Sequence, residues 1–350
     1  MKVVAVLYPG GSAADDPEVL GCAENALGLR ASLEAEGHEL VSTTEREGDE
    51  LFGHLRDADV LITTPFWPVY VTSDMLGEAD NLKLILTAGV GSDHVDLGEA
   101  AERGITVAEI TGSNTVSVAE HAVMQVLALV RNFVPAYKDI VDGGWSIGEI
   151  AVGSHDLEGK TVGIYGAGQI GQLIAHRLKP FDVKMLYFKR SRLGTVEELS
   201  LGIRYATLEE MTAECDVIVV AAPLTPETKG LFDRETLFSM KQGAYIINIA
   251  RGAIVETEAL VEALEEGHLG GYAGDVWYPE PAPPDHPWRN MPRHALTPHV
   301  SGTTLEAQKR YAAGVRESLM NFLQGEPIRD DYVMVSDGEI QSGSYKAIYG

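Results

Sequence analysis

Cysteine is nearly absent: Cys22 and Cys215 are the two among 350 residues. Their separation excludes a disulfide framework and any cysteine-based metal spacing, and it fits a reduced compartment with two packed thiols. Cations are scarce as well, 27 Lys and Arg against 52 Asp and Glu, a formal net charge of −25. Nucleic-acid binding depends on clustered cations, and so does attraction to an anionic membrane, so both are expected to be absent. Long hydrophobic runs are missing too. The longest apolar stretch, 116–134, is interrupted by Glu120, His121, Gln125 and Arg131, which makes it a buried or interface helix and not a membrane span. The opening run MKVVAVLYPGG is too short for a signal segment and reads as a strand. There is no low-complexity tract or solenoid repeat, and no His/Cys/Asp grouping has the spacing of a metal site. The expectation is a soluble, cytoplasmic, metal-free protein.

What is present is alternation. Residues 2–8, 38–42, 60–64, 82–87 and 105–110 read as strands, with helical patterns at 24–36 and 50–56. A turn, TGSN at 111–114, precedes the long apolar helix. A second series follows, with strands at 161–165, 183–187, 217–221, 244–249, 271–275 and 294–297. Residues 305–323 read as a helix, followed by a short polar tail. Alternating strands and helices imply parallel sheets covered on both faces, and the length exceeds one hydrophobic core. The fold class is α/β, with two doubly wound domains, the second nested in the first.

The clearest motif is TVGIYGAGQIGQ at 161–172, a strand running into Gly166, Gly168 and Gly171 and then a helix. The first glycine permits the turn, the second lets a pyrophosphate approach the backbone, and the third allows close helix–strand packing. The helix N-terminus supplies free N–H groups and a positive dipole end. About twenty residues on, where an acid would bind the ribose of NAD, stand Lys189, Arg190, Ser191 and Arg192. Three cations there suit a 2′-phosphate through charge-assisted hydrogen bonds, so NADP is the expected cofactor, with NAD also accepted. Arg251, in INIARG, follows a strand and offers a planar fork for a carboxylate. Glu280 lies in a proline-locked loop, and His299 in TPHVSGTT lies at another strand end.

With these residues in view, the sequence resembles the D-2-hydroxyacid dehydrogenase superfamily and, within it, the metal-free NAD(P)-dependent formate dehydrogenases. The resemblance to the latter rests on PFWP at 65–68, TAGVGSDHVDL at 87–97, SNTVSVAEH at 113–121, PAPPDHPWR at 281–289 and SGTT at 301–304. It implies a Rossmann cofactor domain at 115–300 nested in a flavodoxin-like substrate domain formed by 1–114 and 301–350. It implies that Arg251, Asn114 and the Val90 N–H hold formate, that Pro65, Phe66 and Trp67 wall the pocket, and that His299 sits beside the substrate. Asp275 and Ser301 would contact the nicotinamide side. Gln169, Ile170, Pro223, Leu224, Thr225, Pro226 and Glu227 would lie along the cofactor, together with Thr115, Ile249, Val300 and Gly302. A homodimer is implied, with the helix after Asn114 in its interface.

Formate already carries its charge and has no O–H proton to lose, so its oxidation needs orientation and exclusion of water and no general base. The enzymes it resembles carry Gln where this chain has Glu280. Glu280 would favour a protonated His299, and replacing it by Gln is expected to broaden the pH–rate profile. The same pair leaves open a D-2-hydroxyacid or glyoxylate reductase, in which the imidazole carries a proton. A redox-sensing corepressor without turnover is disfavoured, because it has no need of a substrate clamp. His94 and His121 read as hydrogen-bonded core or interface histidines, Cys22 as a packed thiol, and Trp145, Trp277 and Trp288 as core or interface filling.

Overall fold

The structure, a computed structural model, describes residues 1–343, 345 and 346. The chain divides into two compact units, Met1–Asn114 with Gly302–Gly350, and Thr115–Ser301. The division falls after Ser301, which places that residue with the inserted unit.

The first unit begins with β1 (Lys2–Val6), β2 (Glu39–Thr43), β3 (Val60–Thr63), β4 (Leu84–Thr87) and β5 (Thr106–Glu109). The inserted unit carries β6 (Thr161–Tyr165), β7 (Lys184–Phe188), β8 (Ile203–Tyr205), β9 (Val217–Val220), β10 (Tyr245–Asn248), β11 (Gly271–Gly274) and β12 (His294–Leu296). The chain then returns to the first unit with β13 (Val333–Ser336) and β14 (Glu339–Ile340). Each unit contains one seven-stranded sheet, in the orders β14-β13-β5-β4-β3-β1-β2 and β12-β11-β10-β9-β6-β7-β8.

The apolar runs become central strands because both faces of each sheet are buried. Val3 and Ala5 enter one core cluster while Val4 and Val6 enter another. In the inserted unit Ile218 and Val220 pack on one face while Val217 and Val219 pack on the other. With both sides apolar, no polar alternation marks these strands, and they read as continuous runs.

Three expectations change. The helix expected over 24–36 is interrupted: Leu27 takes φ 57° and Gly28 φ 66°, leaving Arg30–Ala35 as the α-helix. The long apolar helix is Thr115–Val130, and Asn132 at φ 52° starts a separate helix, Phe133–Val141. The polar tail is also structured. β13 pairs antiparallel with β5, and β14 with β13, extending an otherwise parallel sheet. Strand β8, too short and polar to register in the sequence, forms the far edge of the other sheet.

Candidate active site

The glycine turn separates its three glycines by what surrounds them. Gly166, at φ 110°, would place a Cβ 2.4 Å from the Ala222 amide nitrogen. A Cβ on Gly171 would lie 2.3 Å from the Gly166 carbonyl oxygen, so helix Gln169–Leu178 can approach β6 only with hydrogen there. Gly168 is the opposite case, with no heavy atom within 4 Å of its Cβ position. The tight positions serve the turn, and the open one leaves room for a phosphate at a helix N-terminus. The residues therefore fit a dinucleotide. Gln169 is exposed and Ile170 half-buried beside this opening. The 223–227 turn is braced by Thr228, whose hydroxyl donates to the Pro223 carbonyl at 2.8 Å and accepts from the Thr225 N–H at 2.8 Å.

The cationic turn after β7 is less available than its composition suggests. Arg192 donates twice to Glu198, at 2.8 and 2.9 Å, and Tyr187 donates to the same carboxylate at 2.6 Å. Hydrogen bonds from Arg192, then from Tyr187, hold the Glu198 carboxyl down at about 2. Arg190 faces Glu227, whose pKa is lowered first by a Thr225 hydrogen bond and in smaller part by Arg190. Of the three cations expected to act together, Arg192 is thus committed to Glu198 and Arg190 is partly offset. Lys189, half-buried, makes no ion pair among the described residues, and Ser191 is exposed.

The charged catalytic candidates stand on the carboxyl ends of β10 to β12, where α/β sheets present ligand-binding groups. Arg251 follows β10, just past buried Ile249. The turn carrying it is fixed by Asn248, whose side chain donates to the Arg251 carbonyl at 2.9 Å and accepts from the Ala250 N–H at 3.1 Å. His299 is 7% exposed and adopts φ 55°, a left-handed conformation that costs about 1–2 kcal/mol for a residue with a Cβ. Its Nδ1 lies 2.5 Å from Glu280 Oε1. Burial favours the neutral imidazole, but the charge and hydrogen bond of Glu280, helped by Asp275 and opposed by Arg251, raise its pKa above the ordinary 6.5.

The resemblance assigns Asp275 and Ser301 to the nicotinamide side, and the structure shows what Asp275 does first. This fully buried carboxylate accepts from the Thr297 hydroxyl at 2.6 Å and from the N–H groups of Val300 and Ser301 at 2.9 and 2.8 Å. It is the anchor of the loop that presents His299. Thr297 in turn meets His121 Nε2 at 3.1 Å, and its carbonyl accepts from Trp277 Nε1 at 2.9 Å. Burial lowers the His121 pKa, against the pull of Asp275. Asn248 and Thr297 escape sequence reasoning, since a short polar side chain after a strand has many ordinary uses. The one signal for Asn248 is a polar residue closing an otherwise apolar strand.

The other unit holds the uncharged candidates. Gly89, at φ 150°, packs its Cβ position 2.9 Å from Pro65 Cδ. Val90 follows, half-buried, in a loop held by Glu109, whose Oε2 accepts from the Gly91 N–H and the Ser92 hydroxyl, each at 3.0 Å. The Ser92 N–H donates to the Tyr345 hydroxyl at 2.7 Å. Asn114 is 5% exposed, and its Oδ1 has no hydrogen-bond partner among the described residues. A buried amide oxygen left so is costly by about 1–3 kcal/mol unless a ligand or water answers it. Gly302 belongs beside it, because a Cβ there would lie 2.5 Å from Asn114 Nδ2. Phe66 packs with the cluster containing Tyr311, whereas Trp67 turns to the other cluster, donates to the Thr44 carbonyl at 2.9 Å and lies under Arg46. Pro65 and Phe66 are thus brought together, and Trp67 is not. Glu109, Ser92 and Tyr345 were invisible in sequence.

Among the described residues no group of three His, Cys, Asp or Glu could hold a metal, and no helix is long and apolar enough to cross a membrane. His94 is buried, and Trp288 is fully so. Trp145, expected in a core or interface, is 78% exposed. Both cysteines are buried, and burial pushes the Cys215 thiol up to about 12.

Comparison with known proteins agrees with this geometry. Residues 123–301 match the family model for the D-isomer specific 2-hydroxyacid dehydrogenase NAD binding domain. The chain is 51% identical over 343 residues to a mitochondrial formate dehydrogenase of Solanum tuberosum, covering 97% of this chain and 90% of that protein. A solved formate dehydrogenase of Granulicella m. superposes with a TM-score of 0.94 at 46% identity, covering 97% of this chain and 99% of that one. An NAD-dependent formate dehydrogenase of Staphylococcus aureus, solved in complex with NAD, gives 0.90 at 46% identity, over 96% and 99% of the two chains.

Proposed function

The chain belongs to the D-isomer specific 2-hydroxyacid dehydrogenase family, among its formate dehydrogenases, and on that premise we propose that it oxidises formate to carbon dioxide with a nicotinamide dinucleotide. The dinucleotide, held at the Gly166–Gly171 turn, supplies the carbon that accepts the hydride. The protein's own task is binding and orientation. Arg251 takes the formate carboxylate with its fork, and the Asn114 amide and Val90 N–H add neutral donors. Pro65 and Phe66 exclude water on one side. No group need remove a proton. The observation that supports this reading most is Arg251, half-buried just past the carboxyl end of β10 in a turn fixed by the Asn248 side chain. The test is absorbance at 340 nm with formate plus dinucleotide, and no reduced cofactor from formate would sink the reading.

NADP remains our proposed preference, now carried mainly by Lys189, because Arg192 is held by Glu198. Comparing kcat/KM for NADP and NAD decides it, and a strong NAD preference would overturn it.

One observation favours a second reading, the 2.5 Å His299–Glu280 contact. An imidazole whose pKa is raised by a neighbouring carboxylate is not needed for formate oxidation, but in its protonated form it can protonate a carbonyl oxygen. Reduction of glyoxylate by the reduced cofactor would use it, with Arg251 on the carboxylate. Oxidation of NADPH on adding glyoxylate tests this directly.

We also propose a homodimer. Helix Phe133–Val141 buries no residue, and Tyr137, Ile140 and Val141 are 60%, 56% and 64% exposed, with Trp145 nearby at 78%. An apolar surface of this kind marks an interface, and the resemblance supplies a second copy as its partner. Sedimentation of the wild type and of Tyr137→Glu with Val141→Glu checks it, and a monomeric wild type would refute it.

A further inference from the structure

We propose that His121 is a positioning residue of the active site, acting through Thr297 to hold the Asp275-anchored loop that presents His299. The inference rests on the formate dehydrogenase reading for its kinetic consequence, but not for its geometry.

The hydroxyl of Thr297 has one proton, and its shortest contact, 2.6 Å, is to the ionisable and fully buried Asp275 Oδ1. The proton goes there, because a hydrogen bond to a carboxylate is the stronger one. Thr297 Oγ1 is then left as an acceptor, so His121 Nε2, 3.1 Å away, must be the donor. That fixes the tautomer of His121 with the proton on Nε2. Gln125 Nε2, at 3.4 Å, is a weaker second donor to the same oxygen. Asp275 passes the restraint on, since its two oxygens also hold the N–H groups of Val300 and Ser301.

His299 lies between Thr297 and Val300, in a left-handed backbone conformation that a residue with a Cβ rarely adopts unless its surroundings enforce it. The enforcing contacts are those of Asp275, and Asp275 is itself oriented by Thr297. Without the His121 donor, the Thr297 hydroxyl can rotate away and release one of the three bonds that fix the carboxylate. His121 touches neither His299 nor Glu280 in this arrangement. Its effect is on where His299 stands.

Four substitutions test this, in two pairs. His121→Gln keeps an N–H donor at the same number of bonds from the backbone, and His121→Leu removes it. Thr297→Ser keeps the hydroxyl, and Thr297→Val removes it with little change in shape. The two removing variants are expected to lower kcat for formate oxidation by about tenfold. They should leave the formate KM within about twofold and speed hydrogen exchange of segment 297–301 by about tenfold. The two conserving variants should stay near wild type in both measurements. The combined His121→Leu, Thr297→Val protein should be no worse than either alone, because both cut one chain of contacts. Wild-type exchange and turnover in Thr297→Val, or a His121→Gln protein as impaired as His121→Leu, would overturn the proposal. If the wild type fails to oxidise formate while exchange still follows the two pairs, the positioning role stands and the functional reading falls.

Discussion

The two units hold their functional groups by different means. In Thr115–Ser301 the groups are charged and stand near strand ends. His299 and Asp275 are buried and Arg251 and Glu280 half-buried, with Glu280 bonded to His299 and Asp275 to the loop that carries it. In the other unit the groups are neutral, a Val90 N–H and an Asn114 amide, and the Val90 loop is tied at Ser92 to a partner remote in sequence, Tyr345, 253 residues away. Charged groups supply binding energy and set protonation, and neutral ones supply direction. A chain of net charge −25 that must admit an anion therefore places its cation locally, in the unit Thr115–Ser301.

If that contrast is right, Arg251→Gln is the most damaging single change. It removes two charge-assisted hydrogen bonds, about 3–4 kcal/mol together, so kcat/KM for formate should fall by about 100-fold or more. A fall under tenfold in steady-state assays would mean that the neutral unit carries the substrate.

The charged unit should respond to pH, and the sign follows from the raised His299 pKa. An imidazolium repels a cationic nicotinamide ring, so formate oxidation should rise as pH increases through the raised value. Glyoxylate reduction needs the proton and should fall through the same value. Glu280→Gln moves both inflections down, because burial then acts without the Glu280 charge against it, and this widens the alkaline plateau for formate oxidation. For stability, a raised folded-state pKa contributes fully below 6.5 and is lost as pH climbs through the raised value. The wild-type advantage over Glu280→Gln in thermal melts should therefore be largest at acidic pH. Equal profiles for the two proteins would remove the coupling.

At the cofactor end the comparison sharpens within one turn. Lys189→Ala should lower kcat/KM for NADP by about 10-fold while leaving NAD nearly unchanged. Arg192→Ala should change either by less than about threefold, because its exposed charge already serves Glu198. The reverse order would mean that Arg192 leaves Glu198 on binding.

These differences also explain what could be read in advance. Strands with both faces buried read as uninterrupted apolar runs, so of the eleven strand readings 161–165 stands unchanged, eight lose one or two residues from their ends, and 38–42 and 183–187 move forward by one. Glycine roles follow from local turn geometry, and Gly166, Gly168 and Gly171 were legible for that reason. Helix 24–36 misled because Leu27 and Gly28 adopt left-handed angles that apolar spacing does not reveal. The polar tail misled because β13 and β14 form an antiparallel edge, needing only short apolar runs. Thr297, Ser92 and Tyr345 were illegible, and His121 was legible only as a hydrogen-bonded histidine, since each acts through a partner scores of residues away. The charge of KRSR was visible, but the pairing of Arg192 with Glu198 was not.

The smallest expected effect probes the neutral unit at its most distant support. In Tyr345→Phe the ring still packs with Val335 and Met334, so the core is kept, but the Ser92 N–H loses its acceptor. One buried donor left without a partner costs about 1 kcal/mol, which thermal denaturation can resolve. Because Glu109 still holds the Gly91 N–H and the Ser92 hydroxyl, the Val90 N–H should be displaced only slightly. The formate KM should rise by about two- to threefold with kcat and the dinucleotide KM unchanged. A change in kcat instead would show that this loop orients the reacting carbon and does more than hold the anion, which would erase the division of labour between the two units.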